Sequence, residues 1–176
     1  NETKYIALNS KESFDITTGT STKKYQKEDL KFKEQYIKEK LSKIKFDFEL
    51  DSEPKITSLL ELLPGSYKKF NEIRKKISYS TDTKIILKLN DDKFAVISSD
   101  GNGFEIYTSN EVKKIKKFIS IDVDNRLLYR LLQGPKLAQW TVAEIGSHLQ
   151  FKRIPDIYEI GLIHCLNYFY SGQYVN

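Results

Sequence analysis

The side chains whose type and spacing first invite a chemical reading are few: His148, His164, Cys165 and the pair Asp122 and Asp124. Hydrolytic zinc chemistry needs three or four His, Cys or carboxylate ligands around an open position. The chain has two histidines and one cysteine. His164 and Cys165 are neighbours in a helical pattern and point about 100° apart, while His148 reads as an outward residue of a strand. Cys165 lies among Ile163, Leu166 and aromatic residues, which suits a core thiol rather than a nucleophile paired with His148, since a reactive thiolate needs an exposed, electropositive site. Asp122 and Asp124 share one strand face, with Arg126 and Arg130 close behind on the next helix. Paired carboxylates can do acid–base work, but an N-cap at Asp124 and ion pairs to the arginines account for them. Asp100-Gly101-Asn102-Gly103 lacks the later acidic positions of a calcium loop and reads as a hairpin turn. No Gly-rich phosphate loop joins a strand to a helix. The expectation is a chain with no catalytic residue, no metal and no cofactor of its own.

Trp140 is the only tryptophan. It sits between Ala138 and Ala143 in a small helix after Gly134-Pro135. Two readings stay open: it lies over the mouth of an apolar cavity, or it is a core or interface anchor.

The elements that would position these residues follow from hydrophobic period. Ile119, Ile121 and Val123 alternate, as on a strand; Leu127, Leu128, Leu131 and Leu132 then form one stripe of a helix over 125–133, started by Asp124 or Asn125 and closed by Gly134-Pro135. A short helix over 137–145 ends at Gly146, and a strand is expected over 147–152. Upstream, 84–89, 94–98 and 104–107 read as an antiparallel meander joined by Asn90-Asp91-Asp92 and by the 100–103 turn. Pro155 suits the first position of a last helix running to Tyr170 and capped by Gly172, apolar nearly all round and therefore buried on more than one side. Before the sheet, a helix over 56–63 stops at Pro64-Gly65 and another runs over 66–77. The front end reads as short strands at 4–8 and 13–16, a loose 17–22 loop, and a charge-laced helix over 26–46 with a thin apolar stripe. The expected division is a 1–55 extension, comprising the tail of an upstream domain and a charged linker helix, and a 56–176 domain.

Composition narrows the partners. Residues 1–80 carry 17 Lys/Arg and 13 Asp/Glu; residues 81–176 carry 12 and 11. The basic excess is spread among acids at the front, and the densest run, Lys113 to Lys117, reads as a solvated turn, so nucleic acid is not expected. No apolar run is long enough for a transmembrane segment. One cysteine fits a reducing, cytoplasmic setting. A chain without methionine that starts at Asn1 reads as a fragment of something longer.

The order of strands, two short helices, strand and apolar terminal helix, with Asp122, Leu127 to Leu132, Gly134, Ala138, Ala143, Gly146 and Leu149 at the hinge points, resembles the sterol-carrier-protein-like fold over about residues 66–170. That resemblance implies an α+β domain: a five-stranded, mostly antiparallel sheet covered by helices around an apolar tunnel, here preceded by a partly helical extension. The tunnel wall would be Leu128, Leu131, Leu132, Trp140, Leu149, Ile160 and Ile163. Tyr5 to Gly19, YIALNSKESFDITTG, resembles the closing strands of a metallo-β-lactamase-fold domain, a superfamily in which alkylsulfatases and nucleotide-sugar hydroxylase relatives are found. Its His-x-His-x-Asp-His metal signature is absent from this sequence. What these likenesses imply is a non-catalytic accessory domain of a larger metal-dependent hydrolase or hydroxylase, with the upstream catalytic domain, an apolar small molecule and a second copy in a homodimer as its partners. The alternatives are a free-standing carrier of lipid or another apolar ligand and an interaction module without ligand, in which the 26–46 helix and Tyr168, Phe169, Tyr170 and Tyr174 pack on a partner.

Overall fold

The computed structural model of the chain describes residues 12–22 and 30–173. The expected strand at 4–8, the start of the 26–46 helix and Tyr174 lie outside the described residues. The chain divides into two compact units, Asn1–Lys45 and Phe46–Asn176.

In the first unit, β1 (Phe14–Asp15) and β2 (Thr20–Ser21) pair antiparallel. The expected loose loop is thus a closed hairpin. Asp15 explains it: its carboxylate accepts the N–H of Thr17 at 2.8 Å and of Thr18 at 3.2 Å, and those bonds hold its carboxyl below the usual range. Gly19 supplies the positive φ that closes the turn. Helix α1 (Leu30–Glu39) buries no side chain and gives way to a 3-10 turn over Leu41–Lys43.

The second unit is α+β. Its five-stranded sheet has the order β5-β4-β3-β6-β7, formed by β3 (Lys84–Lys88), β4 (Phe94–Ser98), β5 (Phe104–Tyr107), β6 (Phe118–Asp122) and β7 (Gln150–Ile154). The β3-β6 pair is parallel and the other three are antiparallel. The hairpins close as their residues dictate: the Asn90 carboxamide accepts the N–H of Asp92 at 2.9 Å, and Asp100 accepts that of Asn102 at 3.1 Å. The register sets Ile85 beside Ile97 and Ile119, and Leu87 beside Ala95 and Ile121. These six side chains are buried in one core with those of the helices.

Helix α2 (Ile56–Lys76) is continuous, with Pro64 inside it. The expected break at Pro64-Gly65 does not occur. Proline costs an internal bond, yet the helix runs on, and Gly65 serves packing instead of a stop: a Cβ there would meet Ser171 Cβ at 3.0 Å, so glycine lets the C-terminal segment lie against the helix. Between β5 and β6 a short helix α3 (Ser109–Val112) forms, started by a capping box in which the Glu111 carboxylate accepts the Thr108 N–H at 2.8 Å.

Helix α4 (Asn125–Gln133) keeps its expected bounds, with Asp124 accepting the Arg126 N–H at 2.9 Å. Helix α5 (Trp140–Ile145) is shorter than expected. It ends in a Schellman motif whose left-handed residue is Ser147, one position past Gly146: the Ser147 N–H reaches the Glu144 carbonyl at 3.0 Å and the His148 N–H that of Ala143 at 2.9 Å. The turn consumes Ser147 and His148, which delays β7 and removes His148 from the strand.

The last helix, α6 (Ile160–Leu166), is also shorter. Pro155 does not start it, because the Ile157 N–H donates back to the Pro155 carbonyl at 2.8 Å, a tight turn incompatible with helical bonding. Gly172 does not cap it either. The N–H groups of Ser171 and Gly172 instead donate to the carbonyls of Leu132 and Gln133, at 2.7 and 3.0 Å, which satisfies the open end of α4.

Candidate functional site

Helices α5 and α6 and the chain after α6 enclose an open groove of about 320 Å³, lined by Pro135, Ala138, Trp140, Tyr168 and Tyr170, with Gln139, Thr141, His164 and Asn167. Trp140 is its floor. The indole is 2% exposed, donates its Nε1–H to the Phe169 carbonyl at 2.9 Å, and meets the Phe169 ring at 6.3 Å, edge to face. His164 is exposed and its ring lies 5.5 Å from that of Tyr168. Three aromatic surfaces framed by amide, hydroxyl and imidazole groups are the composition of a small-molecule site: apolar contact with a few polar groups to fix orientation.

Of the seven residues named as cavity wall, Leu128, Leu131, Leu132, Trp140, Leu149 and Ile163 fall in the one hydrophobic core. Leu128, Leu131 and Leu132 are wholly buried at the interface of α4 with α2 and the sheet. Ile160 is 74% exposed, turned away from the core at the start of α6. Only Trp140 touches the groove. The sequence pattern therefore marked the packed interior, and the groove lies beside it.

The side chains with chemical potential are committed to structure. Cys165 is wholly buried, and burial pushes its thiol above its ordinary value. His148, in the turn after α5, packs edge-on against Phe46 at 4.5 Å and Phe48 at 5.5 Å. Asp124 caps α4 and holds the Arg126 guanidinium at 2.5 Å; that bond, outweighing partial burial, keeps its carboxyl below the usual range. Arg130 donates to both oxygens of Asp51, at 2.6 and 2.8 Å, and Arg126 reaches the Glu49 carbonyl at 3.0 Å. The two arginines thus clamp the 3-10 turn Asp47–Leu50 onto α4. Lys117, last of the Lys113–Lys117 run, pairs with Asp82. Among the described residues, no group of three or more His, Cys, Asp or Glu converges to hold a metal.

A polar cluster not anticipated from the sequence ties α6 to the sheet. Glu159 accepts the hydroxyl of Tyr79 at 2.6 Å and that of Thr83. Burial raises the Glu159 carboxyl, but the hydroxyls of Thr83, Tyr79 and Thr81 more than offset it and the net shift is downward. Burial and the nearby carboxylate push the Tyr79 phenol up. The spacing of 80 residues between Tyr79 and Glu159 leaves no local signal for this pairing.

No protein-family model, curated protein or solved structure matches the chain.

Proposed function

We propose that the second unit is a non-catalytic binding domain serving a larger protein, and that the α5–α6 groove holds a small apolar ligand through Trp140, Tyr168 and Tyr170. The carrying observation is the groove itself: three aromatic side chains beside a filled core, with Gln139, Thr141, His164 and Asn167 as the polar part of its lining. The commitment of Cys165, His148, Asp124 and Arg130 to packing, capping and clamping supports a binding role over a catalytic one. Strand β1 falls within the Tyr5–Gly19 stretch that resembles the end of a metallo-β-lactamase-fold domain, and that resemblance supports an upstream enzyme as host.

The test is a titration of the full chain with indole, read by amide shifts, and separately with dodecanoate, read by Trp140 fluorescence and by amide shifts. Saturable change at 138–141 and 164–170, lost in Tyr168→Ala, supports the reading. Absence of a response to either probe, or a response unchanged in Tyr168→Ala, overturns it.

A homodimer is the second reading, favoured by the outer face of α5, where Val142 and Ile145 are 61% and 79% exposed. Sedimentation across a concentration series, with Ile145→Lys as comparison, decides it.

A further inference from the structure

We propose that the free edge of β7 takes up an extended acidic segment of a partner protein as a sixth strand. This inference stands apart from the groove and does not depend on it. β7 is bonded on one side to β6, and among the described residues no strand pairs with its other side. Alternate residues of an edge strand point their N–H and C=O groups outward, which is the template that an added strand completes.

The side chains say what kind of strand fits. Lys152 and Arg153 stand on opposite faces of β7, and neither has a carboxylate partner among the described residues. The Arg153 guanidinium instead lies over the rings of Phe151 and Tyr158, at 4.9 and 5.5 Å, which holds the charge beside the edge. A partner strand with acidic residues opposite both positions would meet a cation on each face. At the C-terminal end of β7, Ile154 and Ile157 are 43% and 57% exposed. That end suits an apolar residue of the incoming strand.

The alternatives fit less well. A second copy paired antiparallel about Lys152 sets Lys152 against Lys152, and like charges directly opposite destabilise a pair. The other edge, β5, carries Glu105 in place of cations and packs beside α3.

The experiment adds a short valine-rich peptide with two adjacent glutamates at its centre, one for each face of the strand, and its counterpart with two adjacent lysines, to the full chain. The acidic peptide is expected to shift and protect the amides of 150–154. Its affinity should fall about tenfold or more in the doubly reversed variant K152E/R153E, and fall again between about 50 mM and about 500 mM salt. An unchanged melting temperature shows that the variant is folded. The proposal is overturned if the lysine peptide binds as well, if binding survives the reversal, or if only groove amides respond. Self-association abolished by K152E/R153E would also overturn it, in favour of a second copy. No binding at all would leave Lys152 and Arg153 as charges that merely keep a sheet edge from aggregating.

Discussion

Trp140 is tied to Phe169 twice, through the indole N–H on the backbone carbonyl at 2.9 Å and through an edge-to-face contact of the rings. A helix of six residues is thereby fixed to the chain that follows α6, and the groove between them takes its shape from that one pair. Trp140→Ala removes a buried aromatic and leaves the carbonyl unpaired, so we expect a loss of about 3–5 kcal/mol. Leu131→Ala, in the wholly buried stripe of α4, should cost about 2–5 kcal/mol. Urea unfolding at constant m-value measures both. A Trp140→Ala cost below about 1 kcal/mol would mean that the indole does not anchor the groove.

Much of the second unit was legible because its signals are local. The β3-β4-β5 meander follows from its turn residues, and α4 from Asp124, the leucine stripe and Gly134. The failures have physical causes too. Pro64-Gly65 carries the sequence signature of a stop, yet its glycine serves a contact with Ser171, over a hundred positions away. Gly146 does end α5, as its type suggests, although the left-handed residue that follows is Ser147. The capping box at Thr108 and Glu111 was present in the sequence and would have located α3. The leucine stripe reads as a cavity wall as readily as a helix contact, because an apolar face looks the same whether it meets a ligand or another helix. Tyr168 and Tyr170 gave no sign of lining a groove, since that depends on where α6 stops.

Asp124 gives the domain a predictable acid response. Its carboxyl is depressed in the folded state by Arg126, so its contribution to stability is complete above the unfolded aspartate value, near 4, and is lost as pH falls through the lower folded value. Asp124→Asn keeps a capping oxygen but loses the ion pair. We expect it to flatten the fall in urea midpoint between about pH 5 and pH 2. Asp124→Ala should cost about 0.5–2 kcal/mol at neutral pH by removing the cap. Equal acid limbs in wild type and Asp124→Asn would exclude the pairing with Arg126.

Two serines hold helix ends in the left-handed region, Ser78 at φ 52° after α2 and Ser147 at φ 57° after α5. A side chain there costs roughly 1–2 kcal/mol, partly offset because glycine loses more freedom on folding, by roughly 0.5–1 kcal/mol. Ser147→Gly should therefore stabilise the domain by up to about 1 kcal/mol, and Ser78→Gly likewise. Thermal melts of the single and double variants check this, and the two gains should add because the sites share no partner. Destabilisation by Ser147→Gly would show that its hydroxyl does work the backbone does not reveal.

Gly161 and Tyr79 should behave as a coupled pair. A Cβ at 161 would lie 2.5 Å from Tyr79 Cε2, and the ring cannot swing aside while its hydroxyl is held by Glu159. Overpacking of this kind costs about 1–3 kcal/mol, more than the up to about 1 kcal/mol that alanine gains over glycine within a helix. Gly161→Ala alone should therefore destabilise. In a Tyr79→Ala background the clash is gone, and the same substitution should be neutral or stabilising. Tyr79→Phe separates ring from hydroxyl: the ring stays, so Gly161→Ala should remain costly there, softened only as far as the freed ring can tilt. The double-mutant cycle isolates the pairwise term. A cost for Gly161→Ala that is the same with tyrosine and with alanine at 79 would show that the ring does not pack on this turn of α6, and the Glu159 cluster would then hold the helix by its hydrogen bonds alone.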